Sequence, residues 1–149
     1  MIKLSQKQRE KVAEQFIEAL PFCASLNIKL ESMDVSRAVM SMPYDSRIVG
    51  DPETGVVHGG AVSALMDTCC GLAVSLHPDS AKPTATIDLR IEYMRPAKVG
   101  ERIFTEAHVY NATRTVAFVR AVAHDGDEKK PVASATGAFT FSRLKEGVL

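Results

Sequence analysis

Hydrophobic positions along this chain change their period several times, and each change marks an element. Val12, Ala13, Phe16, Ile17 and Leu20 recur at helical spacing behind Ser5 and Gln8, the spacing of a capping box, so an amphipathic helix is predicted over about 5–20, stopped by Pro21. Phe22 to Leu26 adds room for a short turn. Ile28, Leu30, Met33, Val35, Ala38, Met40 and Met42 then follow a period of two with a shift of phase near Asp34 to Ser36, which predicts two strands joined through a bulge or hairpin. From Pro43 to Val56 the chain is rich in turn signals, with Gly50-Asp51-Pro52 and Thr54-Gly55 among them.

Val57 to Ser75 breaks with both patterns. From Ala61 to Leu76 nearly every residue is small or apolar on all sides of a helical period, so the segment reads as a long helix surrounded by protein, with one acid, Asp67, inside it. A charged carboxylate in such surroundings costs several kcal/mol unless it is paired or protonated, in order-of-magnitude terms, so Asp67 needs a reason to be there. His77-Pro78-Asp79 and Lys82-Pro83 mark the loop that follows. Four extended runs come next: Ile87 to Tyr93, Ile103 to Tyr110, Val116 to His124 and Val132 to Phe141, separated by short turn signals. The expected fold is α+β, a curved antiparallel sheet of five to six strands wrapped around a long central helix, with the last four strands as a meander.

Composition narrows the function classes. At 149 residues without a compositional break, the chain fits one domain spanning 1–149. Eighteen basic residues balance eighteen acidic ones, so no global field draws it onto nucleic acid or an anionic membrane. The amino terminus has no signal-peptide pattern and no uncharged run reaches the ~20 residues of a membrane span, which leads to the expectation of a soluble cytoplasmic protein. Cys23, Cys69 and Cys70 are an odd number without metal-ligand spacing and read as reduced core residues. His77, His108 and His124 likewise lack paired ligand spacing, so no metal site is expected.

The candidate chemistry sits at the start of the central helix. His58-Gly59-Gly60 removes side chains where the first amides of a helix point outward unpaired, an end that attracts negative charge. Two free amides there, those of Gly59 and Gly60, are placed to stabilise an oxyanion formed by attack on a carbonyl. Gly59 and Asp67 lie eight residues apart. Along a helix that is roughly 12 Å, too far for both to touch one carbonyl carbon, so joint action on one bond requires a second copy and a two-fold dimer. The plainer readings stand beside these: Asp67 as a structural acid, His58 as a cap, Thr86 as a strand-former.

Together, VVHGGAVSALMDTCCG, IDLRIEYMRPAKVGERI and the closing ASATGAFTF resemble the hotdog-fold acyl-CoA thioesterases of the PaaI-like branch, which includes the mammalian thioesterase superfamily member 2. The resemblance runs from about Ile28 to Phe141. It implies hydrolysis of acyl-CoA thioesters without metal or organic cofactor, by homodimers that usually pair into homotetramers. By position, Asp67 matches the catalytic acid, either general base or nucleophile; Gly59 matches the oxyanion-hole glycine; His58 matches the histidine that buttresses it; and Thr86 falls where related sequences hold the attacking water. One departure is Pro52, six residues before the histidine, where the family commonly has Asn or Gln; Asp51 is next to it. Arg90, Arg95, Lys98 and Arg114 are candidates for the phosphates of coenzyme A, each with a solvated surface charge as its plainer reading. Two other readings stay open: a hotdog hydratase or dehydratase, and a non-catalytic acyl-CoA-sensing module.

Overall fold

Ser5 opens the first helix as the spacing predicts: its hydroxyl accepts from the Gln8 amide while the Gln8 side chain accepts from the Ser5 amide, and helix α1 (Gln6–Glu18) follows. The computed structural model describes residues 5–80 and 83–142; Lys82 lies outside them. Pro21 starts a second short helix, α2 (Pro21–Ser25), at a position where its missing N–H costs nothing. Strands β1 (Lys29–Asp34) and β2 (Arg37–Met42) form the expected hairpin, with Ser36 at the turn in the left-handed region at φ 56°.

The turn-rich stretch holds more order than its composition suggests. A 3₁₀ turn (Ser46–Ile48) leads into β3 (Val49–Asp51), which pairs antiparallel with β4 (Val56–Val57) as a separate small ribbon. The long helix α3 (Gly59–Ser75) follows, then β5 (Thr86–Tyr93), β6 (Ile103–Ala112), β7 (Val116–His124) and β8 (Ala133–Thr140).

The main sheet has six antiparallel strands in the order β1-β2-β6-β7-β8-β5, and α3 packs chiefly on β2, β6 and β7, the α+β hotdog arrangement. Only β6, β7 and β8 form the predicted meander. β5 does not pair with its successor β6; it pairs with β8 along Thr86↔Phe139 to Tyr93↔Ala133 and takes the edge of the sheet. Its position corrects the simple reading of successive strands as neighbours. Leu65, Met66, Cys69 and Leu72 of α3 are fully buried, and the Cys69 thiol donates to the carbonyls of Ala38 and Thr105 at 3.4 and 3.3 Å. Burial pushes that thiol up to about 12, which leaves it an unreactive core residue.

The helix is not covered on every side by its own chain. Gly60, Ser63, Ala64, Asp67 and Thr68 form one stripe that stays partly or fully open, away from the β2, β6 and β7 side on which the helix chiefly packs. Asp67 is therefore half-buried, not enclosed. The edge strand beside it is open too: Ile87, Tyr93 and, just beyond, Met94 are each more than half exposed, at 56%, 52% and 54%. Among the described residues no helix is long and apolar enough to cross a membrane.

Candidate active site

The β3–β4 ribbon positions the start of α3. The His58 N–H donates to the Ile48 carbonyl at 2.8 Å, and Gly50 packs so closely that a Cβ there would stand 2.8 Å from the His58 Cα. His58 is the N-cap of α3, and its Nδ1 accepts from the Gly60 N–H at 2.8 Å. A ring nitrogen that accepts carries no proton, so the ring's N–H is at Nε2. The Gly60 amide is thus already bonded, whereas the Gly59 N–H has no acceptor among the described residues. Of the two amides the sequence offered, Gly59 is the open donor.

Space beside the two glycines differs. A Cβ on Gly60 would lie 2.8 Å from His58 Nδ1, and one on Gly59 would lie 3.3 Å from the Tyr93 ring. Gly60→Ala is therefore expected to push the imidazole off its cap. The loss should be about 1 kcal/mol of stability, read as a lower thermal midpoint by calorimetry; an unchanged midpoint would show that the ring relocates freely.

Asp67 sits two turns further along the helix, and there Thr86 meets it: the threonine hydroxyl donates to Asp67 Oδ1 at 2.7 Å. The ladder to β8 carries a bulge between Thr86 and Asp88, where Asp88 Oδ1 accepts from the Ala138 amide at 3.0 Å. At the other end of the same strand, the Tyr93 hydroxyl donates to the Gly59 carbonyl at 2.9 Å. The structure therefore ties Asp67 to one end of β5 and Gly59 to the other. One chain does not bring the acid to the amide.

A cavity of about 340 Å³ opens beside Gly59, walled by Val57, Val62, Tyr93, Met94 and Val132, with Arg95 on its rim. Arg95 is not free to meet a phosphate. Its guanidinium forks onto the two carboxylate oxygens of Asp125 at 2.7 Å each and also donates to the Lys130 carbonyl. Arg95 beside Asp125 holds that fully buried carboxyl well below the usual carboxylate range. Arg90 pairs with Glu92 at 2.6 Å on the open outer face of the sheet. Lys98 spends its backbone amide on Asp125 while its side chain lies exposed, and Arg114 is exposed in the β6–β7 turn, at the Thr86 end of the sheet. Asp51 closes its own turn on Thr54 and the Glu53 amide, so it does not stand in for the polar residue that Pro52 replaces. Two of the three histidines away from the site have ring partners: His77 lies edge-on to Phe141 and His124 stacks on Phe104.

Residues 54–132 match the family model of the thioesterase superfamily. The chain belongs to that superfamily. It is 28% identical over 141 residues to the Escherichia coli medium/long-chain acyl-CoA thioesterase YigI, covering 86% of this chain and 90% of that protein. A Pseudomonas aeruginosa protein of known crystal structure is 38% identical, with a TM-score of 0.78 over 87% of this chain and 96% of that one. The E. coli PaaI protein of the phenylacetic acid degradation operon shares the fold, with a TM-score of 0.78 at 22% identity over 92% and 94% of the two chains. Within this thioesterase, sequence reasoning missed Tyr93 and Asp125. Tyr93 reads in the alternation as one more inward residue of a strand, and Asp125 as part of a polar turn.

Proposed function

We propose that this thioesterase hydrolyses acyl-CoA thioesters to the free acid and coenzyme A, at two equivalent sites of a homodimer, with dimers pairing into a homotetramer. One observation supports the dimeric site above the rest: Asp67 and Gly59 are fastened to opposite ends of an edge strand that is open along its length. A second copy pairing antiparallel on β5 across a two-fold axis turns the Thr86 end of one strand toward the Tyr93 end of the other. Asp67 of one subunit then approaches Gly59 of the partner subunit, and the open stripe of α3 is covered.

The chemistry follows from that pairing. The thioester oxygen accepts from the Gly59 amide at the positive end of α3, which stabilises the charge that grows on it during attack. Asp67 either takes a proton from a water that attacks the carbon, or attacks the carbon itself and is later released by water. Thr86 holds the carboxylate, and in either route the thiolate leaves and is protonated as coenzyme A. No cofactor is needed. The apolar cavity beside Gly59 and the likeness to YigI favour an aliphatic acyl group, with Lys98 and Arg114 as exposed cations for phosphates. The reduced thiols of Cys23, Cys69 and Cys70 suit the cytoplasm.

Mixing two inactive variants tests the shared site. Gly59 occupies the first helical position and His58 before it is extended at φ -61° and ψ 134°, a backbone that accepts a following proline, so Gly59→Pro deletes the amide donor without breaking the helix. Asp67→Asn and Gly59→Pro homodimers should each be nearly inactive in a thiol-release assay with decanoyl-CoA. Subunits refolded together should regain roughly a quarter of wild-type turnover, because half the dimers are mixed and each holds one intact site. No recovery in a verified mixed dimer would place both groups in one chain and overturn the shared site. A wild-type dimer that binds acyl-CoA without releasing thiol would leave the sensing module.

A further inference from the structure

Gly59 has no side chain to fix the direction of its own N–H, and glycine is the least constrained residue in any backbone. In this fold the direction is set from outside. The peptide before Gly59 is held through His58, whose N–H donates to the Ile48 carbonyl at 2.8 Å and whose carbonyl accepts from the Ala61 amide at 3.0 Å. The peptide after it is held at both ends by side chains. Its carbonyl, that of Gly59, accepts from the Tyr93 hydroxyl at 2.9 Å, and its N–H, that of Gly60, donates to His58 Nδ1 at 2.8 Å. A run from hydroxyl through peptide to imidazole polarises each bond in the same sense.

We infer that Tyr93 is a positioning residue for the oxyanion-binding amide: through the Gly59 carbonyl it locks the first turn of α3 to the edge strand, so that the Gly59 N–H is aimed before substrate arrives. The inference rests on the thioesterase reading and adds to it a residue that never touches the reacting atoms. What distinguishes this role from packing is the hydroxyl: it ends on the carbonyl of the same residue that bears the open donor, a contact the ring alone would not make. The ring also covers Gly59 closely enough that a Cβ would stand 3.3 Å from Cε1, which holds the glycine from the side opposite its peptide bonds. The same strand carries Thr86, which holds Asp67 at its far end. A single strand therefore sets both halves of the chemistry, one half for each of the two sites it borders.

Tyr93→Phe removes the hydroxyl and keeps the ring. Because an oxyanion donor acts mainly when charge develops, a loosened donor should lower kcat and leave KM nearly alone. For decanoyl-CoA the expected change is roughly a tenfold fall in kcat, the size of one neutral hydrogen bond, with KM within about twofold and the dimer retained. In the same protein, hydrogen exchange at the Gly60 amide, followed by NMR, should quicken as the His58 contact loosens. Wild-type kcat in Tyr93→Phe, or a loss carried by KM alone, overturns the positioning role. Failure of the wild-type dimer itself to hydrolyse any thioester removes the thioesterase reading instead, and the two failures are told apart by the wild-type control.

Discussion

Asp67→Asn is expected to lower kcat for acyl-CoA hydrolysis by roughly 10²- to 10⁴-fold while the protein folds and dimerises as before. The two expectations come from the same geometry. Asparagine keeps the shape of the side chain, and its Oδ1 can still accept from the Thr86 hydroxyl that lies 2.7 Å from the carboxylate. Because the side chain keeps its volume, no cavity is left behind in the stripe of α3 that carries residue 67. What is lost is chemical. An amide neither accepts a proton from water at neutral pH nor forms an acyl bond through oxygen, so the general-base and nucleophilic routes fail together. Steady-state thiol release, with dimer mass and melting temperature measured on the same sample, checks both halves. Near-wild-type turnover would remove Asp67 from the chemistry and return it to a structural role.

How far the site was legible follows from where each partner lies in the sequence. Ser5 and Gln8, or His58 and Gly60, meet across two or three residues, so their contacts can be read from spacing alone. The alternation of Ile87 to Tyr93 likewise identifies a strand by itself. What spacing does not carry is which edge a strand takes: β5 skips β6 and closes on β8, and only that pairing brings Thr86 to Asp67 and Tyr93 to Gly59. The all-apolar pattern of α3 signals burial but not by what. Its stripe around Asp67 stays open in the single chain, where the pattern alone presents an enclosed acid. The β3–β4 ribbon was hidden for a simpler reason: strands of two or three residues are too short to show a period.

Arg95 illustrates the same limit with a consequence for stability. Beside a predicted phosphate site it reads as a ligand, but its partner Asp125 lies thirty residues on, and the pair is a structural clamp. The Asp125 side chain is completely buried and that of Arg95 is 28% exposed; the carboxylate also accepts from the Lys98 amide at 2.8 Å, so it holds the cavity's rim to the β7–β8 turn. Arg95→Met leaves that carboxylate buried with only backbone amides for company. Breaking such a pair costs about 3 kcal/mol, at the lower end of the range because the guanidinium reaches solvent, and the melting temperature should fall by roughly 6–12 °C. KM for acyl-CoA should change little. A tenfold rise in KM at unchanged stability would restore the phosphate role.

The sign with pH is fixed by the carboxylate. Its folded pKa is depressed, first by the Arg95 hydrogen bonds, so the stabilisation is complete above the unfolded value of about 4 and is lost as pH falls toward the folded value. The stability gap between wild type and Asp125→Asn should therefore be flat from neutral pH down to about 5 and narrow below about 4. A gap that instead narrows as pH rises through the neutral range would assign the stabilisation to a different group. The clamp thus stands apart from the candidate chemistry: Arg95 and Asp125 tie the cavity's rim to the β7–β8 turn, and neither bonds to Asp67 among the described residues.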